Sequence, residues 1–471
     1  MLKLSMRLTF GNCPYFCRLI YFRVFREQCQ CLATTVSISD SVQELIDRGL
    51  VGSTFPDTLL SERHLLNQVP PCIYAGFDAT ADSLHIGNLL ILCTLLRLRL
   101  RGLSIIALIG EATARLGDPS GLTKDRPVLS ASQVAANART VTSQVKDIFT
   151  NFDRLQKAGA SPVPLLLNNV EWFDHLSVAE FFTVVGRHFR LRHMLEKQCV
   201  RERLNKEGMN YSEFSYQIFQ AYDWLELYKR TGCLLQLGGI DQTGNIHSGH
   251  DLLSKCCGRS AYGLLVPLLL SSTGKKLGKS TGTTLWLSPS RTSSYMFYQY
   301  FFNLPDSEAP LYCRWFSFLS IQEIDSLLEQ TKVNPEARQA QRILAEQLTL
   351  LVHGPEGLST ALKVTEILHH NQLFKISSMS EKELQMLQRE VPSVQLRFQP
   401  AMSVSNIALE SGCFNDFDVA CRVIRQGGFY INGHRIVDPS MQVNKDLAFS
   451  LSKALTVVRL GRKLYRIIAW K

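Results

Sequence analysis

Cys72-Ile73-Tyr74-Ala75-Gly76-Phe77-Asp78, then His85-Ile86-Gly87-Asn88, then Ser104-Ile105-Ile106-Ala107-Leu108-Ile109-Gly110: these three segments decide the fold. The first is a short apolar strand that ends at Gly76. The loop from Ala79 to Ser83 leads to His85, and from Leu89 onward leucines cover a broad helical face. The third is an unbroken β-branched and aliphatic run closed by glycine, the pattern of a strand buried on both faces. Strand, helix and strand in that order imply a right-handed crossover and a parallel sheet, the core of an α/β domain. The apolar stretch from Leu89 to Gly110 is no membrane span, because Arg97, Arg99 and Arg101 interrupt it and Gly102 divides it.

Working outward, Leu116-Gly117-Asp118-Pro119-Ser120-Gly121 is a tight loop beyond the second strand. Residues from Ser130 to about Arg230 read as mostly helical, with an insert around Pro162 to Trp172. Leu234–Leu237 and Leu264–Leu270 return as short buried strands. Between them lies Gly238-Gly239-Ile240-Asp241-Gln242-Thr243-Gly244-Asn245, another loop at a strand's carboxyl end. Open α/β sheets bind ligands beyond those ends, where the strand order reverses. Upstream, Ser41–Arg48 reads as a short helix with Asp40 or Ser41 as its cap.

From about Pro289 the chain turns helical. Asn334 and Pro335 open a helix whose Ile343, Leu344, Leu348 and Leu351 repeat at helical spacing until Gly354, and Ser380 with Glu383 forms a capping box. Composition changes near Pro392–Pro400. From Ala401 onward ten Lys/Arg face five Asp/Glu. Asp418–Arg425 reads as a helix carrying Arg422 and Arg425, followed by Gly427-Gly428-Phe429-Tyr430-Ile431-Asn432-Gly433: turn, strand and Asn-Gly turn.

At 471 residues the chain calls for two or three domains. Its net charge of +10 suits a partner that is a polyanion. Thirteen cysteines are scattered without a C-x-x-C pair, so neither a disulfide framework nor a structural metal is expected. The first 26 residues hold five basic side chains and no acid, interleaved with aromatic and aliphatic residues. That is the composition of a mitochondrial transit peptide; Arg18, Arg23 and Arg26 break any secretory apolar region.

His85-Ile86-Gly87-Asn88 and Lys276-Leu277-Gly278-Lys279-Ser280 resemble the "HIGH" and "KMSKS" signatures of class I aminoacyl-tRNA synthetases. With the Asp118 and Asp241-Gln242 loops between them in order, the resemblance is to the tyrosyl branch, across nearly the whole chain after the leader. Asn88 stands in place of the second signature histidine, and Gly278 in place of a serine. Residues from Ala401 resemble an S4-type RNA-binding fold, with Cys421 and Val423 where polar or basic residues are usual.

The chemistry this implies is an in-line attack of a carboxylate on the α-phosphorus of ATP. No general base is needed; two anions must be oriented and developing charge neutralised. His85 and Asn88 lie where a helix begins, so backbone N–H groups and the helix dipole add to their own donors. Lys276, Lys279 and Ser280 are set to reach the pyrophosphate moiety. Tyr216, Gln220 and Asp223 fall at i, i+4 and i+7, one helix face, where polar groups need partners.

By the resemblance, Asp223 and Tyr74 contact a substrate phenol, while Asp118, Tyr216 and Gln220 hold its ammonium group. Gln242 lies beside its carboxylate. Gly239 and Asp241 bind ribose, Gly76 and Asp78 lie near the sugar and ammonium, and backbone at Leu269 lies near adenine. Arg422, Arg425 and Asn432 would face RNA. The implied architecture is a leader at 1–33, a Rossmann-like catalytic domain at 34–288, a helical anticodon-recognition domain at 289–390 and an S4-like domain at 391–471. The implied co-substrate is ATP accompanied by Mg2+, with L-tyrosine and tRNA(Tyr) as partners, a homodimer as assembly, no membrane, and the mitochondrial matrix as location. Three competing readings are a tryptophan-specific relative, an RNA-binding or RNA-folding protein on the same scaffold, and a small-molecule adenylyltransferase. Tyr74, the Asp223 helix and the S4-like tail weigh against the first. The intact Asp118, Asp223 and Lys279 weigh against the second, and the helical, basic C-terminal half against the third.

Overall fold

The computed structural model describes Phe25 and residues 36–121, 126–156, 162–206, 208–269, 284–370, 372–399, 402–452 and 455–471. Most of the expected leader, and the loop carrying Lys276, Lys279 and Ser280, lie outside the described residues. The chain divides into two compact units, Met1–Thr284 with Leu311–Asp325, and Leu285–Pro310 with Ser326–Lys471.

The first unit opens with α1, Ile38–Asp47. Its cap is Ser37, whose hydroxyl accepts the Asp40 N–H at 3.2 Å, rather than Asp40 or Ser41. The earlier start lets Ile38 join Val42 and Leu45 on the buried face. The sheet is built from β1 (Ser53–Phe55), β2 (Cys72–Asp78), β3 (Ser104–Gly110), β4 (Leu165–Asn168), β5 (Leu235–Gly239) and β6 (Tyr262–Val266), in the order β1-β6-β5-β2-β3-β4. All neighbours run parallel except β1, which is antiparallel to β6. Helix α2, Ile86–Leu100, makes the crossover from β2 to β3. Every residue of β3 is buried, as its apolar run requires, and each such aliphatic side chain contributes about 1.5–3 kcal/mol.

Progress along the sheet runs one way through β2, β3 and β4, then resumes on the other side with β5 and β6. The reversal therefore lies between β2 and β5, where Tyr74 pairs with Gln236. Flanking this crevice are α3 (Glu111–Ala114), α4 (Ala131–Leu155), α5 (Val170–Phe173), α6 (Gln198–Leu204), α7 (Tyr211–Thr231) and α8 (Thr243–Cys257).

Strand β2 runs two residues past Gly76, where the sequence pattern ended it, and β6 covers Tyr262–Val266 rather than Leu264–Leu270. The insert around Pro162 contains β4, an edge strand paired with Ile106–Ile109. Four residues are too few for periodicity to separate a strand from a helix. The arginines of α2 interrupt its apolar run, yet Arg97 and Arg99 are buried: Arg97 donates to the carbonyls of Trp315 and Ser317, and Arg99 to that of Pro162. Among the described residues no helix is long and apolar enough to cross a membrane.

The second unit contains α9 (Ser294–Phe302), α10 (Gln339–His369) and α11 (Glu381–Glu390). Gly354 leaves the helical region at φ 72°, so α10 is two helices joined at a kink. The Ser380–Glu383 capping box forms as read. Further on come β7 (Ser393–Leu396), α12 (Val404–Glu410), α13 (Phe417–Arg425), β8 (Phe429–Ile431), β9 (His434–Ile436), β10 (Leu455–Leu460) and β11 (Leu464–Trp470). The five strands pair in the order β7-β11-β10-β8-β9. One face, with Val458 and Ile468, packs on Ile407 and Ile424 of α12 and α13. The other, with Leu455, Val457 and Ile467, packs on Tyr295, Val364 and Leu387 of α9, α10 and α11. Alternation along two strands thus joins the helical and α+β segments into one compact unit.

Candidate active site

Helix α2 begins with a histidine as its cap. The His85 Nδ1 accepts the Gly87 N–H at 3.1 Å, and the Asn88 Oδ1 accepts the His85 N–H at 3.1 Å. With Nδ1 accepting, the neutral ring carries its proton on Nε2. A Cβ at Gly87 would lie 2.9 Å from the His85 ring, so a side chain there would push the imidazole aside.

At the end of β2, Asp78 takes hydrogen bonds from the Thr113 hydroxyl at 2.7 Å and the Tyr216 hydroxyl at 2.8 Å. Its carboxyl is pushed up to about 6, first by burial and then by the neighbouring Asp118 charge, against these two donors. Gly110, paired with Asp78 on β3, leaves the room this carboxylate occupies; a Cβ there would overlap Asp78 Oδ1.

Asp118 is gripped in its loop. Its carboxylate accepts from the Ser120 N–H at 2.9 Å, from Gln242 Nε2 at 2.8 Å and from Asn245 Nδ2 at 3.3 Å, while its carbonyl accepts from Arg126 Nε at 2.7 Å. Asn245 also donates to the Gln242 Oε1 at 3.0 Å. The Asp118 and Gln242 loops are thereby joined across 124 residues of chain.

Asp223 lies deeper, 4 % exposed on α7. Its two oxygens are held separately, Oδ1 by Trp172 Nε1 at 2.8 Å and Oδ2 by Asn169 Nδ2 at 3.1 Å. Burial pushes this carboxyl well above the ordinary range, and the two donors pull against it. Asn169 has no exposed surface; it also donates to the Thr113 hydroxyl at 3.0 Å and accepts the Ala112 N–H at 2.8 Å. A continuous hydrogen-bonded path therefore runs Tyr216, Asp78, Thr113, Asn169, Asp223, Trp172.

Beside it stands Tyr74, 1 % exposed, edge-on to Trp224 with ring centroids 5.6 Å apart. Among the described residues its hydroxyl has no hydrogen-bond partner, nor has the Oε1 of Gln236, its neighbour on β5. Burial, and then the Asp223 charge, push the Tyr74 phenol well above its ordinary value. A buried polar atom without a partner costs about 1–3 kcal/mol, and a ligand that satisfied both would recover it.

Of the residues singled out from sequence, Tyr74, Asp78, Asp118, Tyr216, Asp223 and Gln242 gather around this crevice. Gly76 lies on the same strand, Gln220 is half-buried on α7, and Gly239 and Asp241 form the turn into α8. Leu269 is buried three residues beyond the end of β6. The reading missed Thr113, Asn169, Trp172, Gln236 and Asn245. Only Gln236 carried a local signal, as the single polar side chain within an apolar strand.

In the second unit, Arg422 and Arg425 are exposed on α13. Asn432 has a different job from the RNA contact expected of it. It adopts φ 50°, is 6 % exposed, donates to the carbonyls of Leu447 and Ala448, and accepts the Val457 N–H at 2.8 Å. Its amide ties the turn between β8 and β9 to the start of β10, because asparagine tolerates the left-handed region and its short amide reaches local backbone.

The family model for class I tRNA synthetases (W and Y) matches residues 66–370. The chain is 37% identical over 437 residues to the mitochondrial tyrosine–tRNA ligase of Drosophila melanogaster, covering 91% of this chain and 94% of that relative. It is 39% identical over 431 residues to the mitochondrial tyrosine–tRNA ligase of Homo sapiens, covering 91% and 86%. Among solved structures, a C-terminally truncated mitochondrial tyrosyl-tRNA synthetase of Aspergillus nidulans superposes with a TM-score of 0.62 at 29% identity, over 75% of this chain and 99% of the other.

Proposed function

The chain belongs to the class I tRNA synthetases of the tryptophanyl and tyrosyl family, and from that premise we propose that it is a tyrosine–tRNA ligase of mitochondria, working in the matrix. It activates L-tyrosine with ATP to tyrosyl-adenylate, releases pyrophosphate, and passes the tyrosyl group to tRNA(Tyr).

The observation that carries tyrosine over tryptophan is the Tyr74 hydroxyl, without a partner among the described residues, beside the Asp223 carboxylate. A phenol hydroxyl both donates and accepts, so it can give its proton to Asp223 and take one from Tyr74. An indole N–H only donates, and a phenylalanine ring does neither. Each would leave a buried polar atom without a partner. Tyrosyl synthetase rejecting phenylalanine by about 10⁵ is the standing example of this effect.

At the other end of the bonded path, Asp78 and Asp118 supply negative charge for the substrate ammonium, with Tyr216 and Gln220 beside them. Gln242 orients the carboxylate that attacks the α-phosphorus. Asp241 and Gly239 hold the ribose, Gly76 lets the nucleotide approach the strand end, and backbone at Leu269 lines the adenine. His85, through Nε2–H, and Asn88 stabilise phosphate charge at the start of α2, and Lys276, Lys279 and Ser280 draw on the departing pyrophosphate. Magnesium arrives with ATP as part of the substrate. Arg422 and Arg425 face the tRNA backbone. A homodimer is supported by Val178, Phe182, Val184, Leu191 and Leu195, exposed apolar side chains within one short segment of the first unit.

The test is ATP–pyrophosphate exchange with each of the twenty amino acids, followed by charging of mitochondrial tRNA. Exchange driven by tyrosine alone is expected. Exchange driven by tryptophan, or by none of the twenty, would refute the reading.

A further inference from the structure

Resting on the reading that Asp223 receives the substrate phenol, we propose that Arg230 is a positioning residue for amino-acid selection. Its guanidinium clamps the indole of Trp172, and so fixes the N–H that Trp172 gives to Asp223.

Trp172 is 4 % exposed, and its Nε1 donates to Asp223 Oδ1 at 2.8 Å. The Arg230 guanidinium carbon lies 4.9 Å from the Trp172 ring centroid. Asp223 and Arg230 are seven residues apart on α7, two turns or about 10 Å along one face. A single indole therefore bridges both positions, with its N–H at one end and a cation against its ring at the other. Two carboxylates hold the guanidinium in place: Glu171 at 4.0 Å and Glu226 at 3.6 Å. Glu171 is the residue just before Trp172, and Glu226 sits between Asp223 and Arg230 on α7.

Two physical effects follow. A cation on an aromatic face is attracted to the ring and draws its electron density, so the indole is tethered and its N–H becomes a stronger donor. Arg230 touches no reacting group; it acts through Trp172.

The experiment uses the full chain and tyrosine-dependent ATP–pyrophosphate exchange. Arg230→Met is expected to raise the KM for tyrosine about two- to fivefold, leaving kcat and the KM for ATP unchanged. The preference for tyrosine over phenylalanine should fall by the same factor, and Arg230→Lys, which keeps a cation, should restore most of it. In a Trp172→Phe background, which keeps a ring and removes the N–H, Arg230→Met should do nothing further to the tyrosine KM. An unmoved tyrosine KM in Arg230→Met overturns the proposal, as does an equal rise in the Trp172→Phe background. A lower Tm with matched rises in both KM values would mark Arg230 as a helix-end charge only, and also overturns it. Asp223→Asn separates the two levels. If that variant keeps its tyrosine KM, the reading of Asp223 fails and this inference with it. If it loses tyrosine while Arg230→Met does not, the Arg230 assignment alone falls.

Discussion

Replacing Asn169 with leucine isolates the bonded path that connects the two ends of the crevice. Leucine has the same number of side-chain heavy atoms, branched at the same carbon, so no cavity opens, but three partners lose their bonds: the Ala112 N–H, the Thr113 hydroxyl and the Asp223 carboxylate. With no exposed surface at this position, solvent cannot readily replace them. The bond to the carboxylate is worth about 1.5–3 kcal/mol and each neutral one about 1 kcal/mol, giving about 4 kcal/mol in all. At about 2–4 °C per kcal/mol for a unit of this size, Tm should fall by about 10 °C.

The same substitution removes one of the two donors that pull the Asp223 carboxyl down, so its already raised pKa rises further. The signs then diverge. A carboxyl raised in the folded state contributes stability that is fully present below its unfolded value and lost as pH rises through its folded value. The destabilisation of Asn169→Leu should therefore be worst at alkaline pH. Tyrosine binding needs the ionised acceptor, so the KM penalty, about tenfold for one charged hydrogen bond, should be worst at acid pH and shrink as pH rises. Thermal unfolding and tyrosine-dependent exchange across the same pH series read both trends. An unchanged Tm with a tyrosine KM that follows the wild-type pH profile would refute the bonded path as a functional unit.

Asp223→Ala should lower kcat/KM for tyrosine about 100-fold while the KM for ATP stays put, in the same exchange assay; unchanged tyrosine-dependent exchange would remove Asp223 from the pocket. Lys279→Ala should slow activation by about two to three orders of magnitude with tyrosine affinity by equilibrium dialysis nearly intact; a large loss of tyrosine binding would mean the lysine loop serves another site. With Asp78 held at about 6, the tyrosine KM should climb as pH falls through that value, because the carboxylate facing the ammonium takes up a proton. Asp78→Asn should flatten that limb of the profile, and a limb that persists assigns it elsewhere. Asn432→Ala should cost the second unit about 3 kcal/mol in denaturant unfolding and impair tRNA charging more than tyrosine activation. Equal stability would deny the amide its structural role.

The main features of the sheet were readable from local pattern. Ser104–Gly110 is apolar throughout because β3 is covered on both faces, and Gly110 and Gly239 close β3 and β5, whereas β2 runs two residues past Gly76 to Asp78. His85 and Asn88 could be placed at a helix start because capping is decided within four residues. The three-residue error at α1 has the same origin: Ser37 and Ser41 are both competent caps, and only the burial of Ile38 chooses between them. Strand β4 was hidden because Leu165–Asn168 is too short to declare a period.

What the order of residues determined, then, is what neighbours along the chain can settle among themselves: strand, turn and helix, the positions of acids and lysines on loops, and the family those motifs signal. Tertiary structure alone decided which buried polar groups meet. Asn169 and Trp172 lie 54 and 51 residues from the Asp223 they hold, Thr113 lies 35 from Asp78, and Gln242 lies 124 from Asp118. A hydrogen bond depends on distance and angle in space and leaves no period in the sequence. Asn432 shows the same division in reverse, since its Asn-Gly turn was legible at once, while the carbonyls that occupy its amide could be known only after β8 and β10 had paired.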